Sequence, residues 1–343
     1  MKSLNSVYID LAVGLVIAFL LFSLLVSGIN EGLVRLLGIR GKFLWAYLRD
    51  TLDGPRGKGS WLPGTVAEVF ARLPFSKDAR PVFSPLPAPV ESTATTWSGR
   101  LYERLREIDH RKDGRTSIAS IPPARFGVAI MEIVTGEGGV TSLLEKLKAD
   151  GSPLYGPLKG VWDAAHGDLD AFRKGVEEWF DGEMRRLTML YRRYVKWVIA
   201  ALGLAITLLF SMDSLEYGRA ILTDNAVRAQ VASMADGGTS AFAGLREKCP
   251  EHPTDPYACI TEVLSAPAFV KIVGNAPVSV NIPDGGSPRW SWNGGEWLRR
   301  LGSPGHWPGF LVTFVAVLFG GPFWWDIFRR LTGIRARAGE TDK

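Results

Sequence analysis

Only two cysteines occur in the 343-residue chain, and they bound the stretch "CPEHPTDPYAC", Cys249 to Cys259. Three kinds of chemistry use such a pair. A structural zinc site wants a third and a fourth ligand, and of these only His252 is at hand. A dithiol redox centre wants the CxxC spacing, which is absent. A disulfide needs only an oxidising compartment. It would close a small loop stiffened by Pro250, Pro253 and Pro256, stabilising the fold by about 2–3 kcal/mol in the chain-entropy model. In a reducing compartment the two would stay free thiols. Which holds depends on the side of a membrane that the loop faces.

Other reactive residue types are scattered. The four histidines, His110, His166, His252 and His306, each lack a serine, cysteine or paired carboxylate at a recognised spacing. "TGEGG" at 135–139 is not followed by the Lys-Ser/Thr of a phosphate-binding loop, so a turn is expected. "DHRKDG" at 109–114 reads as a charged turn. No catalytic, cofactor-binding or metal-binding residue is expected.

What must place the cysteine loop is a set of apolar segments. The chain is 46% hydrophobic, and the apolar residues are concentrated. That suits a few membrane spans joined to polar domains. Residues 11–29 carry no charge and are long enough to cross a bilayer. Asp10 precedes them and no clear cleavage site follows, so an uncleaved anchor is expected in place of a signal peptide. Shorter apolar runs cover 197–212 and 310–325. Aromatic flanks extend them, because indole rings settle at the headgroup level. Trp179, Trp197, Trp297, Trp307, Trp324 and Trp325 are the candidate interface anchors. Pro322, with Gly320 and Gly321, would kink the third segment and free backbone carbonyls.

Lysine and arginine accumulate on the cytoplasmic side of spans. Arg35, Arg40 and Lys42 follow the first segment, and Arg185, Arg186, Arg192, Arg193 and Lys196 precede the second. Arg329 and Arg330 follow the third. Three crossings put all of these basic collars on one face, with Arg299 and Arg300 as the exceptions. The expected fold is an all-α membrane protein with three transmembrane helices, a helical cytoplasmic domain and a small, partly irregular extracytoplasmic domain. Its boundaries are a short outer tail (1–10), spans at 11–29, 194–212 and 307–328, an inner domain (30–193), an outer domain (213–306) and a basic inner tail (329–343). On this layout Cys249 and Cys259 face outward, and the disulfide is the favoured reading.

Within the inner domain a basic amphipathic helix follows the first span, and a Pro/Ser/Thr-rich connector is expected near 74–98. A helix should start after the proline pair of "IPPARFGVAIMEIV", with Phe126, Ala129, Ile130 and Ile133 as its apolar stripe. The strongest local signal runs from Asp168, a capping residue. Leu169, Phe172, Val176, Trp179, Phe180, Met184, Leu187 and Tyr191 mark one face of a helix that continues unbroken into the second span. Glu177, Glu178 and Asp181 fall on the other face and are expected to be solvated. Beyond the span two short helices are expected, the second capped by Asp224, and then a Gly/Pro/Trp-rich stretch containing Trp290, Trp292 and Trp297.

Three stretches together carry a resemblance. They are "SIASIPPARFGVAIMEIV", the run through Trp179-Phe180-Asp181, Met184 and Tyr191-Arg192-Arg193, and "GGPFWWDIFRRLTGIR". With Asn30-Glu31 after the first span, they resemble a family of bacterial integral membrane proteins to which no activity is assigned. Trp325 stands where the family pattern has Phe, and Arg329-Arg330 where it has a milder segment. The resemblance covers about two fifths of the chain. It implies the bacterial inner membrane and transfers no catalytic residue.

The expected role is a non-catalytic membrane anchor or scaffold that assembles with partner proteins or with itself in the lipid bilayer, N-terminus out and C-terminus in. The alternative is an oligomeric channel or membrane-permeabilising effector. A membrane-bound enzyme would need an intracellular pocket with two facing titratable groups. Nucleic acid is not an expected partner, because the net charge of +5 sits at the membrane-flanking collars.

Overall fold

The computed structural model describes residues 2–36, 38–54, 96–108, 118–236, 238–250, 253–274, 276–281 and 289–340. Nearly all of the expected connector at 74–98 lies outside them, as do His110, His252 and the 109–114 turn. The described chain is almost wholly helical and forms two compact units, one of residues 34–194 and one of residues 1–33 with 195–343. Two helices continue past the boundary: α1 (Lys2–Leu36) and α7 (Leu169–Phe210).

The 34–194 unit holds α2 (Ile39–Asp53), α3 (Trp97–Leu105), α4 (Pro123–Gly136), α5 (Val140–Ala149), α6 (Tyr155–Ala165) and the first half of α7. Each end has a local cause. Gly38 takes a left-handed conformation (φ 59°) between α1 and α2. Thr96 caps α3 by accepting from the Gly99 amide at 3.1 Å, so the connector yields to helix at Trp97, within its expected range. Pro123 opens α4 and needs no amide partner there. Asp168 caps α7 as expected, accepting from the Ala171 amide at 2.9 Å.

Packing follows the apolar stripes. Phe126 of α4 stacks on Phe180 of α7 with ring centroids 3.8 Å apart, and Phe172 meets Trp162 of α6 edge-on. Such pairs contribute about 0.5–1.5 kcal/mol beyond area burial. Phe172, Val176, Phe180 and Leu187 are buried, whereas Leu169 at the start of the stripe is exposed. Glu178 is solvated as expected, but Glu177 is not. A Cβ on Gly127 would lie 2.7 Å from its Cγ, so α4 and α7 approach closely where the glycine leaves room. The Glu177 Oε1 is buried without a hydrogen bond, 3.5 Å from Arg173 Nη1. Polar contacts hold the other helices. Glu137 pairs with Arg100 and Lys146 at 2.5 Å each, and the Tyr47 hydroxyl of α2 donates to Glu183 of α7.

In the other unit α1 is the central element. Val13, Ile17, Leu20, Leu21 and Phe22 are fully enclosed. Around it lie the second half of α7, α8 (Ser214–Thr223), α9 (Asn225–Asp236), α10 (Ala243–Lys248), α11 (Pro256–Ser265) and α12 (Pro267–Val273). A hairpin follows: β1 (Val278–Asn281) pairs antiparallel with β2 (Arg289–Trp292), Val278 opposite Trp292. Then come α13 (Gly294–Gly302), α14 (Trp307–Leu318) and α15 (Gly321–Glu340). Asp224 caps α9 as expected, accepting from the Ala226 amide at 2.7 Å. Glycines on α1 admit its neighbours. A Cβ at Gly14 would lie 2.7 Å from Ile221, and one at Gly28 would lie 3.0 Å from Ile260 and 3.3 Å from Cys259 Sγ. Residues of α8, α9 and α11 thus meet α1 at Gly14 and at Gly28.

Two helices are long and apolar enough to cross a bilayer, those containing the first and second segments. Their environments differ: 78% of the apolar window of α1 is buried in protein, against 22% for α7. The third segment is not one straight helix. The rods ending at Leu318 and beginning at Gly321 meet at 96°. Twelve residues of α14 span about 18 Å, short of the roughly 30 Å hydrocarbon core. Gly320 has φ 81°, and Pro322 has no amide to continue the ladder. The carbonyls near the break are met from outside the helix: Trp324 Nε1 donates to Ala316 O at 2.7 Å, and Ser23 Oγ of α1 donates to Val317 O at 3.3 Å.

The Tyr47–Glu183 contact has a pH signature. Burial, and then the accepting carboxylate of Glu183, push the Tyr47 phenol up to about 12. The unfolded phenol titrates near 10. Its contribution is therefore complete below that pH and lost as pH rises through about 12. Tyr47→Phe is expected to cost about 1 kcal/mol at neutral pH and to flatten the loss of stability in that alkaline window, read by chemical unfolding of the detergent-solubilised protein.

Candidate functional site

A dense polar cluster forms where α7 stops, in the 1–33/195–343 unit. Ser211 takes φ 49°, and the Met212 amide bonds back to Thr207 O at 3.1 Å, closing the helix. Trp297 Nε1 of α13 donates to Leu208 O at 2.9 Å. The chain turns, and Asp213 caps α8: its Oδ1 accepts the amides of Leu215 at 2.9 Å and Glu216 at 3.0 Å.

Asp213 is buried, and its second oxygen lies 2.8 Å from His306 Nδ1. Glu216 is held by Arg300, Nη1 to Oε2 at 2.9 Å and Nη2 to Oε1 at 3.1 Å. Arg300 Nε also reaches Glu296 at 3.2 Å. Thr313 and Ser214 complete the joint. The Thr313 hydroxyl lies 2.8 Å from Met212 O and accepts from the Ser214 amide, while Ser214 Oγ donates to Gly309 O at 3.1 Å. A Cβ on Gly309 would sit 1.7 Å from Asp213 Oδ1, so the first turn of α14 can approach Asp213 this closely only with a glycine there.

Asp213, Glu216 and His306 offer three ligand atoms within 4.8 Å of one another. Their donors and acceptors are nonetheless committed. Asp213 uses one oxygen on two amides and the other on the imidazole, and both Glu216 oxygens face one guanidinium. A cation would have to displace Arg300, so the donor set does not fit a metal centre. Nor is a nucleophile poised, since Ser214 Oγ is spent on a backbone carbonyl. The arrangement is a hydrogen-bonded clasp joining the ends of α7, α8, α13 and α14. A cavity of about 170 Å³ opens beside it, lined by Tyr217, Val231, Met234, Lys271 and Arg300 among others.

The residues singled out from sequence fall elsewhere. Cys249 and Cys259 are joined in a disulfide, both buried, with Cα atoms 4.8 Å apart. Trp197 and Trp307 are exposed on α7 and α14. Trp297 and Trp324 are part-buried and spend their indole N–H groups on helix-end carbonyls. Trp325 is part-buried on α15, 6.0 Å from Phe328. Trp179 lies apart from these: it packs on Phe126 against the core of the 34–194 unit. Of the basic collar, Arg40 donates to Tyr191 at 3.3 Å, Arg185 pairs with Asp181 and Arg329 with Asp326. Arg35, Arg186, Arg192, Arg193, Lys196 and Arg330 are exposed, and Lys42 is half-buried.

Sequence reasoning missed the clasp. One local signal was present, the D-x-x-E spacing of Asp213 and Glu216 ahead of an apolar run, which marks a helix start. Nothing local links it to Arg300 or His306. Comparison of the chain with models of known families, with curated proteins and with solved structures found no match.

Gly309→Ala should force the clasp apart and destabilise by about 2 kcal/mol. Gly302→Ala, with open space around it, should leave the melting temperature unchanged; equal melting of the two variants would contradict the packing at Asp213.

Proposed function

We propose that the chain is a non-catalytic anchor or scaffold subunit of the bacterial inner membrane that assembles with partner proteins or with itself. The observation that carries this reading is α7. Its first half supplies the core face of the 34–194 unit, and the same unbroken helix then becomes apolar. The apolar half has two faces. Gly203, Ile206 and Phe210 are buried, while Trp197, Leu204 and Leu209 are exposed. On α14, Leu311, Val312, Val315 and Leu318 are exposed in the same way. Large exposed apolar surfaces of this kind suit lipid. The exposed cations from Arg185 to Lys196 sit on α7 just before its apolar half, where an anionic inner leaflet would attract them.

The layout we propose has three crossings: α1, the end of α7, and the bent α14/α15 pair. The N-terminus is out, residues 30–193 are in, residues 213–306 are out and the C-terminus is in. A second reading has specific support. The enclosure of α1 and the approach of Cys259 to Gly28 favour α1 as a core helix, with only α7 and α14 touching the bilayer.

Single cysteines separate the two, since the native pair is joined. With a membrane-impermeant maleimide on spheroplasts, Tyr8→Cys and Arg219→Cys should label directly, and Leu36→Cys and Lys174→Cys only after lysis. If Tyr8→Cys and Leu36→Cys label from one side, α1 does not cross. Ion conductance by the reconstituted protein would sink the scaffold reading in favour of a channel.

A further inference from the structure

A second cavity, of about 300 Å³, lies in the 1–33/195–343 unit where α15 turns across α1. Gly321, at the start of α15, lies against Leu24, where a Cβ would be 2.6 Å away. The floor is apolar: Leu20 and Leu24 of α1 and Leu245 of α10. Trp325 forms a wall, and the disulfide half Cys249 lies at the edge.

The rim is cationic. Arg329 is shared with Asp326 at 2.8 Å. Arg246 is exposed and forms no ion pair among the described residues. Two guanidinium groups and one carboxylate leave a surplus positive charge over an apolar chamber. A guanidinium fork matches a phosphate in shape and charge, and the leucine floor would receive an alkyl chain. A tryptophan between the two is the residue type that settles at the boundary of headgroup and chain.

We propose that this cavity binds an anionic phospholipid, its phosphate on Arg246 and Arg329 and part of one acyl chain over Leu20 and Leu24. The proposal rests on the chain being membrane-bound but not on the three-crossing order, which would set Arg246 and Arg329 on opposite sides of the bilayer; cysteine labelling that establishes that order overturns this site and leaves the membrane reading standing.

The test uses the full chain in detergent, with native mass spectrometry as the readout and phosphatidylglycerol, phosphatidylcholine and inorganic phosphate as probes. Phosphatidylglycerol should be retained in preference to phosphatidylcholine. Arg246→Gln should lower phosphatidylglycerol affinity about tenfold, and Ser27→Leu, which fills the chamber from α1, should lower it without touching the rim. Equal retention of the two lipids overturns the proposal, as does an unchanged Arg246→Gln. Inorganic phosphate binding as tightly as the lipid and indifferent to Ser27→Leu assigns the rim to free phosphate and also overturns it. Flotation with neutral vesicles separates the two levels. Wild type that fails to float defeats the membrane reading, whereas floating wild type that does not discriminate between lipids defeats only this site.

Discussion

Helix ends in an apolar surrounding leave carbonyls that no water can reach, and the 1–33/195–343 unit is organised around meeting them. The end of α7 and the break after α14 are the two exposed points. At each, an indole N–H arrives from another element: Trp297 at Leu208 O, Trp324 at Ala316 O. Ser23 from the central helix serves Val317 O. Without these donors the sharp bend would strand polar groups at a cost of a few kcal/mol each. The tryptophans thus act first as hydrogen-bond donors, and their apolar bodies fill the space around the turn.

The clasp at Asp213 is the same solution with charge added. A buried carboxylate at a helix start meets two amides and an imidazole. Arg300 balances Glu216 next to it. A hydrogen-bonded cluster of this kind fixes the geometry of the helix ends it joins.

Much of the local structure was legible. The stripe Phe172, Val176, Phe180 and Leu187, the caps Asp168 and Asp224 and the proline start of α4 all follow from short-range rules that the structure obeys, whereas the cysteine pairing, which the structure has, was reached through the expected sidedness of the loop. Pro322 and its glycines signalled a kink, but not its size, because a right angle depends on what Leu24 and Trp324 offer nearby. Glu177 looked solvated by helical periodicity. Its true setting depends on a glycine in another helix, which periodicity does not encode. The sheath around α1 was hidden for a related reason. Gly14 and Gly28 read as neutral members of an apolar run, and their use as contact points appears only when the short helices of residues 213–273 are in place.

The close fit of Gly127 against Glu177 carries a consequence for how this sequence can drift. The two positions share one small volume between α4 and α7. A methyl gained at the first requires the Glu177 side chain to swing aside or be replaced by a shorter one, so growth at the first site is tied to the second. Divergent copies of the chain should therefore exchange bulk between them as a correlated pair, leaving a co-variation mark between residues far apart in the sequence.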